Sequence, residues 1–168
     1  VIAAMIALHH PGLARRVATY AATFGPAPTA LNFEMLRMNA PPTPDSRGIQ
    51  FQKEAYQKVA PEPGKWPGIW GKVGGVQWGG FSNEELASIQ SPLLIAVGDH
   101  DFVRVEHALE TFRRIPQAEL AVIPDAGHFA LFSEPERVIP VVKHFLEKPD
   151  KKIPLATAET GYHPGETR

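Results

Sequence analysis

The chain has 168 residues and a net charge of −1 at pH 7, which excludes a bulk electrostatic attraction for nucleic acid or for an anionic membrane surface. About one domain is expected at this length, and no apolar run approaches the ~20 residues that would span a bilayer. The absence of cysteine excludes disulfides, thiolate metal sites and a cysteine nucleophile, and it fits a cytoplasmic protein.

The first 26 residues begin inside an apolar, alanine-rich stretch. Residues 1–10 predict a helix packed on nearly all sides, including at Ile2 and Ile6. No capping residue precedes this helix, so its start is expected upstream of the sequence. Residues 17–22 then predict a short strand.

Residues 27–86 differ from the rest of the chain because they contain all three tryptophans and a proline-rich linker at 39–46. A helix is predicted over 46–60 and a second over 64–77, each with a partial apolar face. This composition indicates a small helical insertion.

From residue 87 the predicted elements alternate between strand and helix. They are a strand over 93–97, a helix over 105–115, a strand over 120–123 and a helix over 134–147. Ser133 and Glu136 have the S-x-x-E spacing of a capping box, which predicts the start of the last helix. The alternation predicts an α/β fold in which parallel strands are joined by right-handed crossovers.

In such sheets the reactive groups lie beyond the carboxyl ends of the strands. The sequence GDHD follows the first of these strands at residues 98–101, and PDAGH follows the second at 124–128. Asp101 and His128 are therefore predicted to meet on adjacent loops, with Gly127 allowing the tight turn that presents the histidine. A carboxylate beside an imidazole fixes its tautomer, which makes the imidazole a general base near neutral pH.

Other interpretations of these loops remain open from the residues alone. Asp99 is the alternative acid because it lies closer to the strand. Asp101 is also placed to cap the following helix, and His128 is also explained as a solvated loop residue. Asp125 is predicted to be a turn residue.

These motifs resemble the α/β-hydrolase family. The strand and acid loop are LLIAVGDHD, with Asp101 at the acid position, and the strand and histidine loop are LAVIPDAGHF, with His128 at the base position. FSEPERV resembles the start of the helix that follows, and residues 1–11, VIAAMIALHHP, resemble the helix after the nucleophile. The resemblance covers about residues 1–148 and is strongest over 88–146.

The resemblance implies a partial α/β-hydrolase fold, with C-terminal parallel strands flanked by helices. Residues 1–26 and 87–148 would form the core, and 27–86 a helical cap. Residues 149–168 are predicted to be a flexible tail.

In this family the nucleophile, acid and histidine follow one another along the chain, and the nucleophile lies in a G-x-S-x-G turn. No such motif occurs in the 168 residues, and the resemblance places it just before Val1. The chain therefore holds two of three triad members and is predicted to be inactive alone. Its open sheet edge also predicts poor folding of the isolated chain.

The family implies hydrolysis of a small apolar carboxylic ester by a serine, histidine and aspartate. One alternative is an aspartate nucleophile that forms a covalent alkyl-enzyme, as in epoxide or haloalkane hydrolysis. Another is a catalytically inactive chain that retains only a binding surface.

Four aromatic residues are predicted to contact the substrate, with simple packing as the alternative: Trp66, Trp70, Phe102 and Phe129. No metal, cofactor, nucleic-acid or membrane partner is predicted, and the oligomeric state is left open. Adjacent helical residues do not face one point, so His9 and His10 do not predict a metal site. Three other histidines are predicted at the surface: His107, His144 and His163.

Overall fold

The computed structural model describes residues 1–32, 43–74, 76 and 78–149. In chain order the elements are α1 (Ile2–His9), β1 (Val17–Tyr20), α2 (Ala27–Ala30), α3 (Arg47–Val59), a 3₁₀ turn (Pro63–Lys65), α4 (Trp66–Gly74), α5 (Asn83–Ser88), β2 (Leu93–Gly98), α6 (Val105–Arg114), β3 (Ala118–Ile123), α7 (Ala130–Ser133) and α8 (Pro135–Glu147). Residues 150–168 of the predicted tail, which include His163, and residues 39–42 of the predicted linker lie outside the described residues.

The sheet has the order β1-β2-β3, and both strand pairs are parallel. Every residue of the central strand β2 is buried, as its continuous apolar sequence predicts. The α/β class and the parallel strands are therefore confirmed. None of the helices in the described part of the chain is long and apolar enough to cross a membrane.

Strand β1 ends two residues earlier than its sequence predicts. Tyr20 is its last residue, and Ala21 has a φ of 53°, a left-handed conformation that cannot continue a strand. The backbone therefore turns away from the sheet at this point.

Helix α1 packs on one face only, so the prediction that it is packed on nearly all sides is wrong. Ala4 and Ala7 are buried in the same cluster as Val17 of β1, whereas Ile2 is 76% exposed. Leu8 also packs against this cluster, whereas Ile2 and Met5 lie on the exposed side of the helix.

The capping box predicted at Ser133 is also wrong. Ser133 ends the short helix α7, and its hydroxyl donates back to the carbonyl of Phe129 at 3.2 Å. Pro135, which has no backbone N–H to be capped, then begins α8. The structure instead has a complete capping box at α5, where Ser82 and Glu85 bond each other's backbone N–H groups.

The chain leaves the core after β1 and returns before α5 at neighbouring points. The N–H of Phe81 donates to the carbonyl of Phe24 at 2.8 Å, and their rings are 5.8 Å apart. Gly80 has a φ of +89°, and a Cβ on it would lie 2.7 Å from the Cα of Gly25. This junction therefore requires glycine where the two chain segments cross.

Ala30 and Asn32, which follow Gly25 along the chain, form backbone hydrogen bonds with the loop that follows β2. The N–H of Arg104 donates to the carbonyl of Ala30 at 2.9 Å, and the N–H of Asn32 donates to the carbonyl of Phe102 at 2.7 Å. The start of the segment predicted to form the cap is thus tied to the acid loop.

His107 is buried, so its predicted place at the surface is wrong, whereas His144 is exposed. The Nε2 atom of His107 accepts a hydrogen bond from the N–H of Phe24 at 2.9 Å. Burial lowers the pKa of His107; nearby Glu110 opposes this, and Arg114 and Arg104 add to it. A neutral histidine therefore holds the junction after β1.

We expect the free energy of unfolding to fall as the pH drops below about 6.5, the ordinary value for histidine. In that range the unfolded chain binds a proton that the buried His107 resists, and the dependence ends below its lowered folded pKa. Urea unfolding at about pH 7.5 and about pH 5.5 measures the difference. His107→Gln retains an acceptor but does not titrate, so the free energy of unfolding of this variant should fall less between the two pH values than that of the wild type. An equal fall in the variant and the wild type would contradict this role of His107.

Candidate active site

Backbone groups of the loop after β2 form hydrogen bonds with the end of β3 and with the loop that follows it. The N–H of Asp99 donates to the carbonyl of Ile123 at 3.1 Å, and that of His100 donates to the carbonyl of Ala126 at 3.1 Å. The N–H of Ala126 donates in return to Oδ1 of Asp99 at 3.2 Å. Asp99 therefore links the two segments through both its backbone N–H and its side-chain carboxylate.

Close approach of these loops depends on Gly98. A Cβ there would lie 1.9 Å from the carbonyl oxygen of Ala126, which no side chain permits. Gly127, by contrast, has no positive φ, and a Cβ there would lie 3.8 Å from the carbonyl oxygen of His100, an ordinary contact, so the predicted need for glycine before His128 is wrong. The left-handed residue of the turn is Asp125, with a φ of 55°.

Asp101 is buried at the centre of the site. Its Oδ1 accepts hydrogen bonds from the N–H of Val103 at 2.8 Å and from Nδ1 of His128 at 2.9 Å. No described residue donates to its other oxygen, Oδ2. Arg104, not Asp101, occupies the N-cap position of helix α6, and its side chain makes no capping hydrogen bond. Within the described residues the Asp101 carboxylate is stabilised by one backbone N–H and one imidazole.

His128 is oriented by that carboxylate. Its side chain is 26% exposed, whereas the side chain of Asp101 is fully buried. A carboxylate only accepts hydrogen bonds, so the proton lies on Nδ1 and the lone pair lies on Nε2. Within the described residues Nε2 has no hydrogen-bond partner, which leaves it able to accept a proton.

Asp99 is placed differently from Asp101. Its side chain is 41% exposed, and the imidazole within 4 Å of it is that of His100, at 3.9 Å. Among the described residues, the acid that contacts His128 is Asp101.

A sequence model of the α/β hydrolase fold matches residues 2–135. The chain belongs to the α/β hydrolase fold family.

Solved α/β hydrolases share this fold at low sequence identity. A meta-cleavage product hydrolase from Pseudomonas fluorescens is 15% identical, with a TM-score of 0.59 over 86% of this chain and 60% of that chain. An enol-lactonase from Burkholderia xenovorans is also 15% identical, with a TM-score of 0.55 over 87% of this chain and 61% of that chain.

A curated relative is similar over a shorter stretch. The cis-3-alkyl-4-alkyloxetan-2-one decarboxylase of Xanthomonas campestris is 40% identical over 58 residues, which are 34% of this chain and 19% of that protein. The chain thus spans about three fifths of the two solved hydrolases and about one fifth of the curated relative.

In this α/β hydrolase two of the predicted substrate contacts pack on the imidazole. The ring of Phe102 stacks on His128 with centroids 3.8 Å apart, and Phe129 meets it edge-on at 5.1 Å. Phe129 is 64% exposed, so much of its surface is open to solvent. Both residues fix the imidazole plane, and a substrate contact by either stays a prediction.

The other two predicted contacts, Trp66 and Trp70, both lie on helix α4. Trp66 stacks on Trp70 with centroids 6.4 Å apart and also meets Tyr56 at 5.6 Å. These are their described ring contacts, and neither reaches His128. Their proposed role at the substrate therefore remains a prediction.

Tyr20 belongs to the site although sequence patterning did not single it out. Its hydroxyl donates to the carbonyl of Gly127, the residue before His128, at 2.6 Å. Burial, followed by the charges of Asp101, Glu134 and Asp99, raises the pKa of Tyr20 to about 12. Only its position at the end of β1 could have indicated such a role.

Metal ligation finds no support in the part of the chain that the structure describes. There, no three histidine or carboxylate side chains converge on one point.

Proposed function

We propose that this chain supplies the acid and the base of a carboxylic-ester hydrolase that acts on small apolar substrates. His128 removes the proton from a serine nucleophile, and Asp101 orients His128. The observation that carries the proposal is the 2.9 Å contact between Nδ1 of His128 and Oδ1 of Asp101, with Asp101 buried. With Nδ1 bonded to Asp101, the lone pair of Nε2 points away from that carboxylate.

The charges of the site suit proton transfer. When Nε2 takes the serine proton, the serine oxygen attacks the ester carbonyl and His128 becomes an imidazolium that Asp101 stabilises. The imidazolium then returns the proton to the departing alcohol, and a water repeats both steps to release the acid. Stacking on Phe102 places an electron-rich ring face against this cation.

The proposal assigns the serine and the oxyanion-binding N–H groups to residues outside this sequence. No G-x-S-x-G motif occurs within it, and the chain spans about 60% of its solved relatives. The 168 residues alone are therefore expected to have no triad activity.

The surroundings of His128 support a small apolar substrate. Phe129 follows His128 directly and is 64% exposed, and Phe132, four residues after His128, is 81% exposed. Two relatives are named for cyclic esters, an enol-lactone and an oxetan-2-one. We therefore include lactones in the proposed substrate class.

The full-length protein should hydrolyse short p-nitrophenyl esters and should be labelled at a serine by a fluorophosphonate probe. Turnover of haloalkanes or epoxides without labelling would replace the serine with an aspartate nucleophile. Absence of any turnover and of any labelling would leave only a binding role.

A further inference from the structure

Tyr20 reaches from the first strand of the sheet to the loop beyond the third. Parallel register places Tyr20, Ala96 and Ala121 in one row on the same face of the sheet. The two alanines leave room for the tyrosine ring, which packs against the cluster that contains Ile123 and Ala126. A larger side chain in place of Ala96 or Ala121 would occupy the space of the Tyr20 ring.

The end of this side chain holds the backbone that carries His128. The carbonyl of Gly127 accepts the hydroxyl of Tyr20 at 2.6 Å and the N–H of Ala130 at 3.1 Å. Both lone pairs of that carbonyl are therefore engaged. The carbonyl belongs to the planar peptide unit that ends at the Cα of His128, so movement of the carbonyl moves the imidazole.

The surroundings of the hydroxyl keep it a donor. With its pKa at about 12, Tyr20 stays protonated throughout the pH range in which esterases are assayed. The partly buried hydroxyl thus retains the proton that the carbonyl needs.

We propose that Tyr20 is a positioning residue that sets the location of the His128 imidazole by anchoring the Gly127 carbonyl. This inference rests on the proposed function, in which His128 is the base. A displacement of about 1 Å at a reacting group can cost about a hundredfold in rate. Loss of one of the two hydrogen bonds to the Gly127 carbonyl is expected to lower kcat about tenfold.

The test compares Tyr20→Phe with Thr19→Val in the full-length protein. Thr19 is the matched control, because its buried hydroxyl donates to the carbonyl of Leu94 at 3.0 Å from the same strand. Both variants lose one side-chain hydrogen bond to the backbone, but only Tyr20→Phe loses a bond to the histidine loop.

For p-nitrophenyl butyrate we expect Tyr20→Phe to lower kcat about tenfold with KM within about twofold, and Thr19→Val to leave kcat unchanged. Wild-type kcat in Tyr20→Phe, or an equal loss in Thr19→Val, would overturn the proposal. Such a result would assign Tyr20 to stability alone.

Nitrogen-15 NMR of the histidine rings supplies a readout that does not require activity. We expect the His128 signals to shift or broaden in Tyr20→Phe and to stay unchanged in Thr19→Val. Unchanged His128 signals in Tyr20→Phe would overturn the positioning role. An inactive wild type would instead overturn the proposed function, and the NMR comparison would then decide the role of Tyr20.

Discussion

Replacing His128 with alanine is expected to lower kcat for ester hydrolysis by at least about 10³-fold in the full-length protein. The variant removes the ring nitrogen that we propose accepts the nucleophile's proton. It also leaves the buried carboxylate of Asp101 with a single described donor, the N–H of Val103. Steady-state kinetics should be measured together with circular dichroism, so that a loss of fold is separated from a loss of chemistry.

Two further variants serve as comparisons: His128→Gln separates the loss of the base from the loss of its hydrogen bond, and His100→Ala is a control. The glutamine amide can donate to Asp101 but is not a base, so activity should be lost while stability is better preserved than in the alanine variant. His100 has a side chain that is 69% exposed on the neighbouring loop, and its replacement should change kcat by less than about twofold. Retained activity in both His128 variants would exclude His128 as the base.

Asp101→Asn is expected to lower kcat by about 10⁴-fold, the loss known for the equivalent change in a serine protease triad. An asparagine amide can donate to Nδ1 of His128, which would move the imidazole proton to Nε2. That nitrogen could then no longer accept a proton. Kinetics with p-nitrophenyl butyrate measure the loss, and KM should change little because Asp101 is buried beneath the imidazole.

Asp99→Asn is the matched control for this change. Its side-chain oxygen can still accept the N–H of Ala126, so the loops stay joined and kcat should fall by no more than a few-fold. A larger loss in Asp99→Asn than in Asp101→Asn would show that Asp99 is the acid.

The meeting of the two loops that hold Asp101 and His128 could be predicted from local sequence and one rule, and the family resemblance favoured Asp101 over Asp99. Each residue follows an apolar strand, and parallel neighbouring strands bring their carboxyl ends to the same edge of a sheet. The apolar sequences of β2 and β3 were sufficient to define those strands.

Other features depend on contacts between distant residues. His107 is buried because it meets Phe24, 83 residues away, and Tyr20 joins the site through Gly127, 107 residues away. Periodicity within a helix or a strand carries no information about such partners. The same holds for Ser133, whose predicted cap was replaced by a separate short helix.

The crossing at Gly25 and Gly80 allows the chain segment between these two residues to vary in length. Because Phe24 and Phe81 are joined side by side, an insertion between them does not pull β1 away from β2, and the entropic cost of closing a loop rises only slowly with its length. Up to Asn32 the segment is also fixed to the acid loop. Chimaeras that exchange residues between Asn32 and Gly80 should therefore accept foreign sequences of different length while Asp101 and His128 keep their contact.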